Sequence, residues 1–143
     1  MTARYPLVLN GTSIQELQSG DTISGAVALD QVQTFTAAQR GEIASLTDGA
    51  TITPDFADAN NFTVTLGGNR TLANPTNLTA GQAGSIFIVQ DGTGSRTLAF
   101  GSYWDFAGGT APTLTTTASA VDRIDYIVRS STSIHAVFTA NYS

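Results

Sequence analysis

Asn61-Phe62-Thr63-Val64-Thr65-Leu66-Gly67-Gly68-Asn69-Arg70-Thr71-Leu72 is the stretch whose reading decides the fold class. Phe62, Val64 and Leu66 alternate with Thr63 and Thr65, the period of a strand with one buried face, since successive side chains on a pleated backbone point to opposite sides. The branched Thr and Val side chains favour the same backbone. Gly67-Gly68-Asn69 then offers residues that tolerate a positive φ, so the chain turns and resumes as Arg70-Thr71-Leu72.

The signal continues towards the C-terminus. Ser85 to Gln90 (SIFIVQ) is apolar on both faces and is expected to be a central strand covered on both sides. Asp91-Gly92-Thr93-Gly94-Ser95 reads as a loop before a strand from Arg96 to Phe100. Arg123 to Arg129 and Ser133 to Thr139 are expected to form a last hairpin around Ser130-Ser131-Thr132.

Towards the N-terminus, Tyr5-Pro6-Leu7-Val8-Leu9 and Thr12-Ser13-Ile14-Gln15-Glu16-Leu17 flank Asn10-Gly11, the preferred pair for a type I′ hairpin turn. Pro6 cannot donate to a ladder, which puts this hairpin at an edge or outside the main sheet. A two-stranded hairpin is marginal in water. Leu7, Val8, Leu9, Ile14 and Leu17 are therefore candidate attachment residues that need cover from the body, another subunit or a partner. Thr36-Ala37-Ala38-Gln39 has the form of a capping box, and predicts one short helix running to about Leu46, across Gly41 and ended by Asp48-Gly49. Strands without intervening helices predict an antiparallel β-sandwich or jelly-roll-like barrel over residues 35–143, led by the helix, with a hairpin arm over residues 1–34.

The composition narrows function more than fold. The 143 residues suffice for one core, and with no cysteine there is no disulfide, zinc knuckle or thiol chemistry. Only 12% of residues are charged, 6 basic against 11 acidic, for a net charge of −5, and every basic residue is arginine. Such an acidic chain is a poor partner for nucleic acid or an anionic membrane. No apolar run approaches the ~18–20 residues of a membrane span. The opening MTARYPLVLNG lacks an apolar core and cleavage site, so synthesis in a cytoplasm without secretion is expected.

Chemistry-bearing residues are few. His135 stands alone in an alternating strand with no G-x-S-x-G nearby, which favours a surface or subunit-contact role. Asp48, Asp55 and Asp58 lie close in sequence but do not match a calcium loop, and turn or capping roles account for them. Asp122 and Arg123 are expected to form a surface or intersubunit pair. Asp91-Gly92-Thr93-Gly94 runs strand to strand without the helix N-terminus that a phosphate loop needs. The N-x-S/T sequons at Asn10, Asn61, Asn69, Asn77 and Asn141 follow from the abundance of Asn and Thr. Tyr103, Trp104 and Phe106 stack on sugar rings if exposed, or anchor a core or subunit interface if buried. No catalytic residue, cofactor or metal is expected.

Two segments resemble a known group. YPLVLNGTSIQELQSGDTI (5–23) is similar to a short N-terminal segment of tailed-bacteriophage structural proteins. FTAAQRGEIASLTDGATI (35–52), NNFTVTLGGNRTLANPTNLTAGQAGSIFIVQDGTGSRTLAFGSYW (60–104) and GGTAPTLTTTASAVDRIDYIV (108–128) together resemble the terminal β domain of phage tail-fibre and virion-surface proteins. The resemblance implies a β-sandwich, usually a homotrimer, displayed on a virion and without catalytic residues. Tail fibres carry this domain on a long shaft, whereas here the arm leads almost directly into it. That favours a trimeric capsid decoration, cement or head-fibre protein whose arm grips the major capsid protein or another virion protein. The alternative is a tail-fibre or tail-tip protein that recognises a host surface glycan.

Overall fold

The computed structural model describes residues 7–10, 13–16 and 36–142, and the chain divides into two units, Met1–Gln39 and Arg40–Ser143. In the first unit, β1 (Leu7–Asn10) and β2 (Ser13–Glu16) pair antiparallel, with Leu9 opposite Ile14 and Asn10 opposite Ser13. Gly11 and Thr12 therefore separate the strands, where a turn centred on Asn10-Gly11 would have set Leu9 against Thr12. Leu17, the rest of the 1–34 arm, and the side chains of Leu7, Val8, Leu9 and Ile14 lie outside what is described.

The second unit is built from β3 (Ile43–Ser45), β4 (Thr51–Ile52), β5 (Asn61–Leu66), β6 (Arg70–Leu72), β7 (Ala83–Gln90), β8 (Leu98–Phe100), β9 (Trp104–Phe106), β10 (Val121–Ser130) and β11 (Ser133–Thr139). The helix expected over residues 36–46 does not form. Gln39 Nε2 donates to the carbonyl of Ala37 instead of reaching back to Thr36. Ile43–Ser45 pairs with Asn61–Thr63, and Leu46 N–H donates to Thr63. A helix this short is marginal alone and Gly41 weakens it further, so bonds to a formed sheet win.

Strand order is β3-β5-β7-β10-β11-β9 in a six-stranded sheet and β4-β6-β8 in a three-stranded one. The expected all-antiparallel arrangement is corrected here. β3, β5 and β7 run parallel, as do β4, β6 and β8, and β9 is parallel to β11; β7-β10 and β10-β11 alone are antiparallel within the unit. A parallel pair needs a crossover, usually a helix. Here the other sheet supplies it: β3 passes to β4, β5 to β6 and β7 to β8, so the chain winds as three short coils laid side by side. An isolated parallel bridge between Asp55 and Thr76 ties the first two coils at a third strip. The predicted β10–β11 hairpin then closes the sheet against β7.

Neutral side chains brace coil to coil. Asn61 Oδ1 accepts from Ser85 N–H (3.2 Å), Asn69 Oδ1 from Thr97 N–H (3.1 Å) and Asn74 Oδ1 from Tyr103 N–H (2.9 Å). Asn77 Nδ2 donates to both carboxylate oxygens of Asp55. The side chains of the sequon asparagines Asn61, Asn69 and Asn77 thus have structural partners. Gln90, buried at the exit of β7, accepts from Arg96 N–H (2.8 Å) and donates to Arg96 C=O (3.0 Å), standing in for a strand partner where the chain leaves the sheet.

The core lies between the sheets. Ile52, Leu72 and Leu98 of the small sheet meet Phe62, Val64, Leu66, Ile86, Ile88, Ile124, Val128 and Ile134 of the large one. Each large apolar side chain so buried contributes roughly 1.5–3 kcal/mol. Phe56, stacked on Tyr126 (ring centroids 4.6 Å) and Phe62 (5.8 Å), fills one end. Gly84 sits where the chain of Asn60 passes: a Cβ there would collide with the Asn60 carbonyl and crowd the Tyr126 hydroxyl, which donates to that carbonyl at 2.8 Å. Burial pushes the Tyr126 phenol up to about 12, so it remains a donor. Among the described residues no buried side-chain polar atom lacks a partner.

Candidate functional site

Alternation along β5, β7, β10 and β11 gives the six-stranded sheet a second, outward face. Phe87 and Val89, next to the buried Ile86 and Ile88, are half-buried, so the strand predicted to be covered on both sides is covered fully on one. Ile127 is 49% exposed and Val137 63%. Their rows are set by register: Ile127 lies opposite His135, which lies beside Asp105, and Asp125 lies opposite Val137. These residues and Phe106 line an open, mainly apolar depression of about 450 Å³.

Charge on this face is largely cancelled internally. Arg123 Nη2 and Nε reach Asp125 Oδ2 at 2.8 and 3.0 Å, and Ser85 Oγ donates to Asp125 Oδ1 at 2.6 Å. The Arg123 guanidinium also lies 5.0 Å from the centroid of the Tyr142 ring, which is 47% exposed. Asp105, at the β9 edge, accepts from Ser133 Oγ at 2.7 Å. That bond spends the serine hydroxyl on a carboxylate, so Ser133, His135 and Asp105 are neighbours without a serine–histidine relay.

Aromatic residues gather at the β8–β9 corner, held by Asn74, whose Nδ2 also donates to Ser102 Oγ (3.2 Å). Trp104 is only 6% exposed, its indole N–H donates to Ala73 C=O at 3.0 Å, and its ring meets Phe56, Phe100 and Tyr126 edge-on. Of the two readings open for Trp104, the buried core anchor is the one that its position fits. Tyr103 and Phe106 are half-buried, and Phe106 packs edge-on against Phe100 at 4.8 Å. Phe100, Asp105, Phe106 and Gly109 border a hollow of about 220 Å³.

The remaining acidic groups serve the scaffold. Asp48 is bidentate to Arg70 (2.7 and 2.8 Å), which holds its carboxyl below the usual range. Asn77, with the Ala57 N–H, lowers that of Asp55. Arg96, with the backbone of Gly94 and Thr93, takes Asp91 down to about 2. Asp122 does not pair with Arg123 as expected: it is buried at 1% exposure and accepts from Thr115 N–H (2.8 Å), Thr115 Oγ1 (2.7 Å) and Asn141 N–H (2.8 Å). Among the described residues no group of three or more histidines and carboxylates is placed to hold a metal ion. The residues that sequence reasoning missed are Ile127, Val137 and Tyr142; alternation marked the first two as outward-facing, without saying that the outward face lacks cover.

A family model described as "Putative phage tail fibre C-terminal domain" matches residues 52–130, which run from β4 through the coils to the end of β10. The chain belongs to this family. It is a phage structural protein of tail-fibre type, and the family is a structural one, not typically enzymatic. The match takes in much of the segment whose resemblance was drawn from the sequence. Neither the curated proteins nor the solved structures give a match to the chain.

Proposed function

We propose that the chain forms the displayed terminal body of a homotrimeric tail fibre, joined to a neighbouring virion protein through its N-terminal hairpin unit. The family match over the coiled body carries this reading, and it draws the favoured location from the head surface to the tail. The hairpin residues Leu7, Val8, Leu9, Ile14 and Leu17 are the attachment candidates, because an isolated pair of strands needs a further surface to be stable. Gold-labelled antibody against the body, applied to intact particles, tests the location. Label at fibre ends supports it; label spread over the head would overturn it in favour of a capsid decoration or cement protein.

Host recognition of a surface glycan is a second activity favoured by one observation, the hollow bordered by Phe100, Asp105, Phe106 and Gly109 at the exposed corner. An aromatic ring beside a carboxylate is a common pairing for a sugar's apolar face and hydroxyls. Purified fibre protein that binds host cells equally with Phe106 and with Phe106→Ala would remove this second reading.

A further inference from the structure

We propose that copies of this chain meet through the outward face of the six-stranded sheet, centred on Ile127 and Val137; this deepens the homotrimer reading above and rests on it. Among the described residues, large apolar side chains are left exposed at Ile43, Ile127, Val137 and Tyr142. All four belong to the one face: Ile43 shares a row with Asn61, Ser85, Asp125 and Val137, Tyr142 stacks with Arg123, and Phe87 and Val89 add half-buried surface. Scattered exposed apolar residues are ordinary; a concentration around one open depression marks a contact surface.

The size fits a protein partner. Six strands spaced ~4.8 Å apart, three to ten residues long and averaging about six at ~3.3 Å each, cover roughly 600 Å². A standard interface takes ~800 Å² from each partner.

The charge pattern selects the occupant. A chain of net charge −5 repels its own copies unless they meet where charge is balanced. On this face Arg123 and Asp125 neutralise each other. What remains is complementary: Asp105 is exposed at the β9 edge, and Arg129 is exposed at the end of β10 with no carboxylate partner among the described residues. A second copy can set its Arg129 against Asp105 of the first while Ile127 and Val137 are covered.

Sedimentation of the full chain decides the matter. The natural protein is expected to run as an oligomer, and I127D/V137D as a folded monomer, with association weakened about a hundredfold or more because two carboxylates would be buried without partners. The control T51D/A99D, which places the same charge on the small sheet, is expected to stay oligomeric. A natural chain that is monomeric at all concentrations sinks the homotrimer reading and this proposal with it. An oligomer unmoved by I127D/V137D sinks the face alone. Hydrogen exchange on the natural chain covers the case in which the variant fails to fold. Protection over residues 83–89 and 123–139 that rises with protein concentration supports the face, and protection independent of concentration refutes it.

Discussion

Replacing Asp122 by alanine is the perturbation for which the structure makes the sharpest demand. The carboxylate is 1% exposed and accepts three hydrogen bonds, two from Thr115 and one from the backbone of Asn141. It therefore pins two distant segments, the passage before β10 and the end of the chain, to the inner side of the sheet. Bonds to a charged acceptor are worth about 1.5–3 kcal/mol each, and donors stranded out of reach of water cost about 1–3 kcal/mol. Some of the freed donors will find water as the segments loosen, so the net loss is about 3–5 kcal/mol. For a body of about a hundred residues this lowers Tm by on the order of 15–30 °C. Asp122→Asn separates the contributions. Its single oxygen can still serve Thr115 Oγ1 and Asn141 N–H, while its NH₂ opposes the Thr115 N–H, so about half of the loss is expected. Calorimetry with native-state hydrogen exchange reads both effects. If Asp122→Ala melts within about 3 °C of the parent, or leaves exchange over residues 110–120 and 140–142 unchanged, the pinning argument is wrong.

Gly84→Ala should cost about 3 kcal/mol or more, because the new methyl meets the Asn60 backbone, which cannot swing aside as a side chain could; a Tm within a few degrees of the parent would contradict this. Acid should destabilise the body in a defined window. Asp91, Asp48 and Asp55 all have lowered folded-state values, so their stabilisation is full above the unfolded value of about 4 and is lost as pH falls towards the folded one, about 2 for Asp91. Asp91→Asn should accordingly melt lower than the parent at neutral pH, with the gap closing near pH 2; a constant gap would refute the linkage. Trp104→Phe should lower stability by about 2 kcal/mol through a smaller ring and an unpaired Ala73 carbonyl, and an unchanged melting curve would return the indole to the surface.

Most strands were legible because alternation is a local property: Phe62, Val64 and Leu66 are all buried as their spacing requires. The order in which those strands pair was not. Ile43, Asn61 and Ser85 share one row of the sheet, yet they recur at unequal spacing, so no repeat shows in the sequence. The misread helix has the same cause, since Ala and Gln propensities weigh only near neighbours and the partner of β3 lies a full coil away. Asp122 and Arg123 illustrate a signal that was present and overlooked. Consecutive strand residues point to opposite faces, so these two could not have paired, and Asp125, two residues on, was the natural partner of Arg123. The buried roles of Asp122 and Gln90 depend on loops that return from elsewhere, which local patterning does not reveal.

The scarcity of charge and the coiled architecture have one explanation. Each coil leaves backbone groups at its corners that the sheet ladders cannot reach; asparagine amides from the preceding coil satisfy them at Ser85, Thr97 and Tyr103, and the Gln90 amide does so within its own coil at Arg96. An amide can supply both a donor and an acceptor without the desolvation penalty of an ion, and its bonds are not weakened by salt as ion pairs are. Two of the three ion pairs among the described residues sit at turns: Asp48–Arg70 links the connection after β3 to the start of β6, and Asp91–Arg96 closes the loop after β7. A body braced in this way has no need of a charged surface for its own stability, which leaves the outward sheet face free to carry Ile127, Val137 and a balanced Arg123–Asp125 pair. The neutrality that makes the coils self-sufficient is the same property that lets like copies approach.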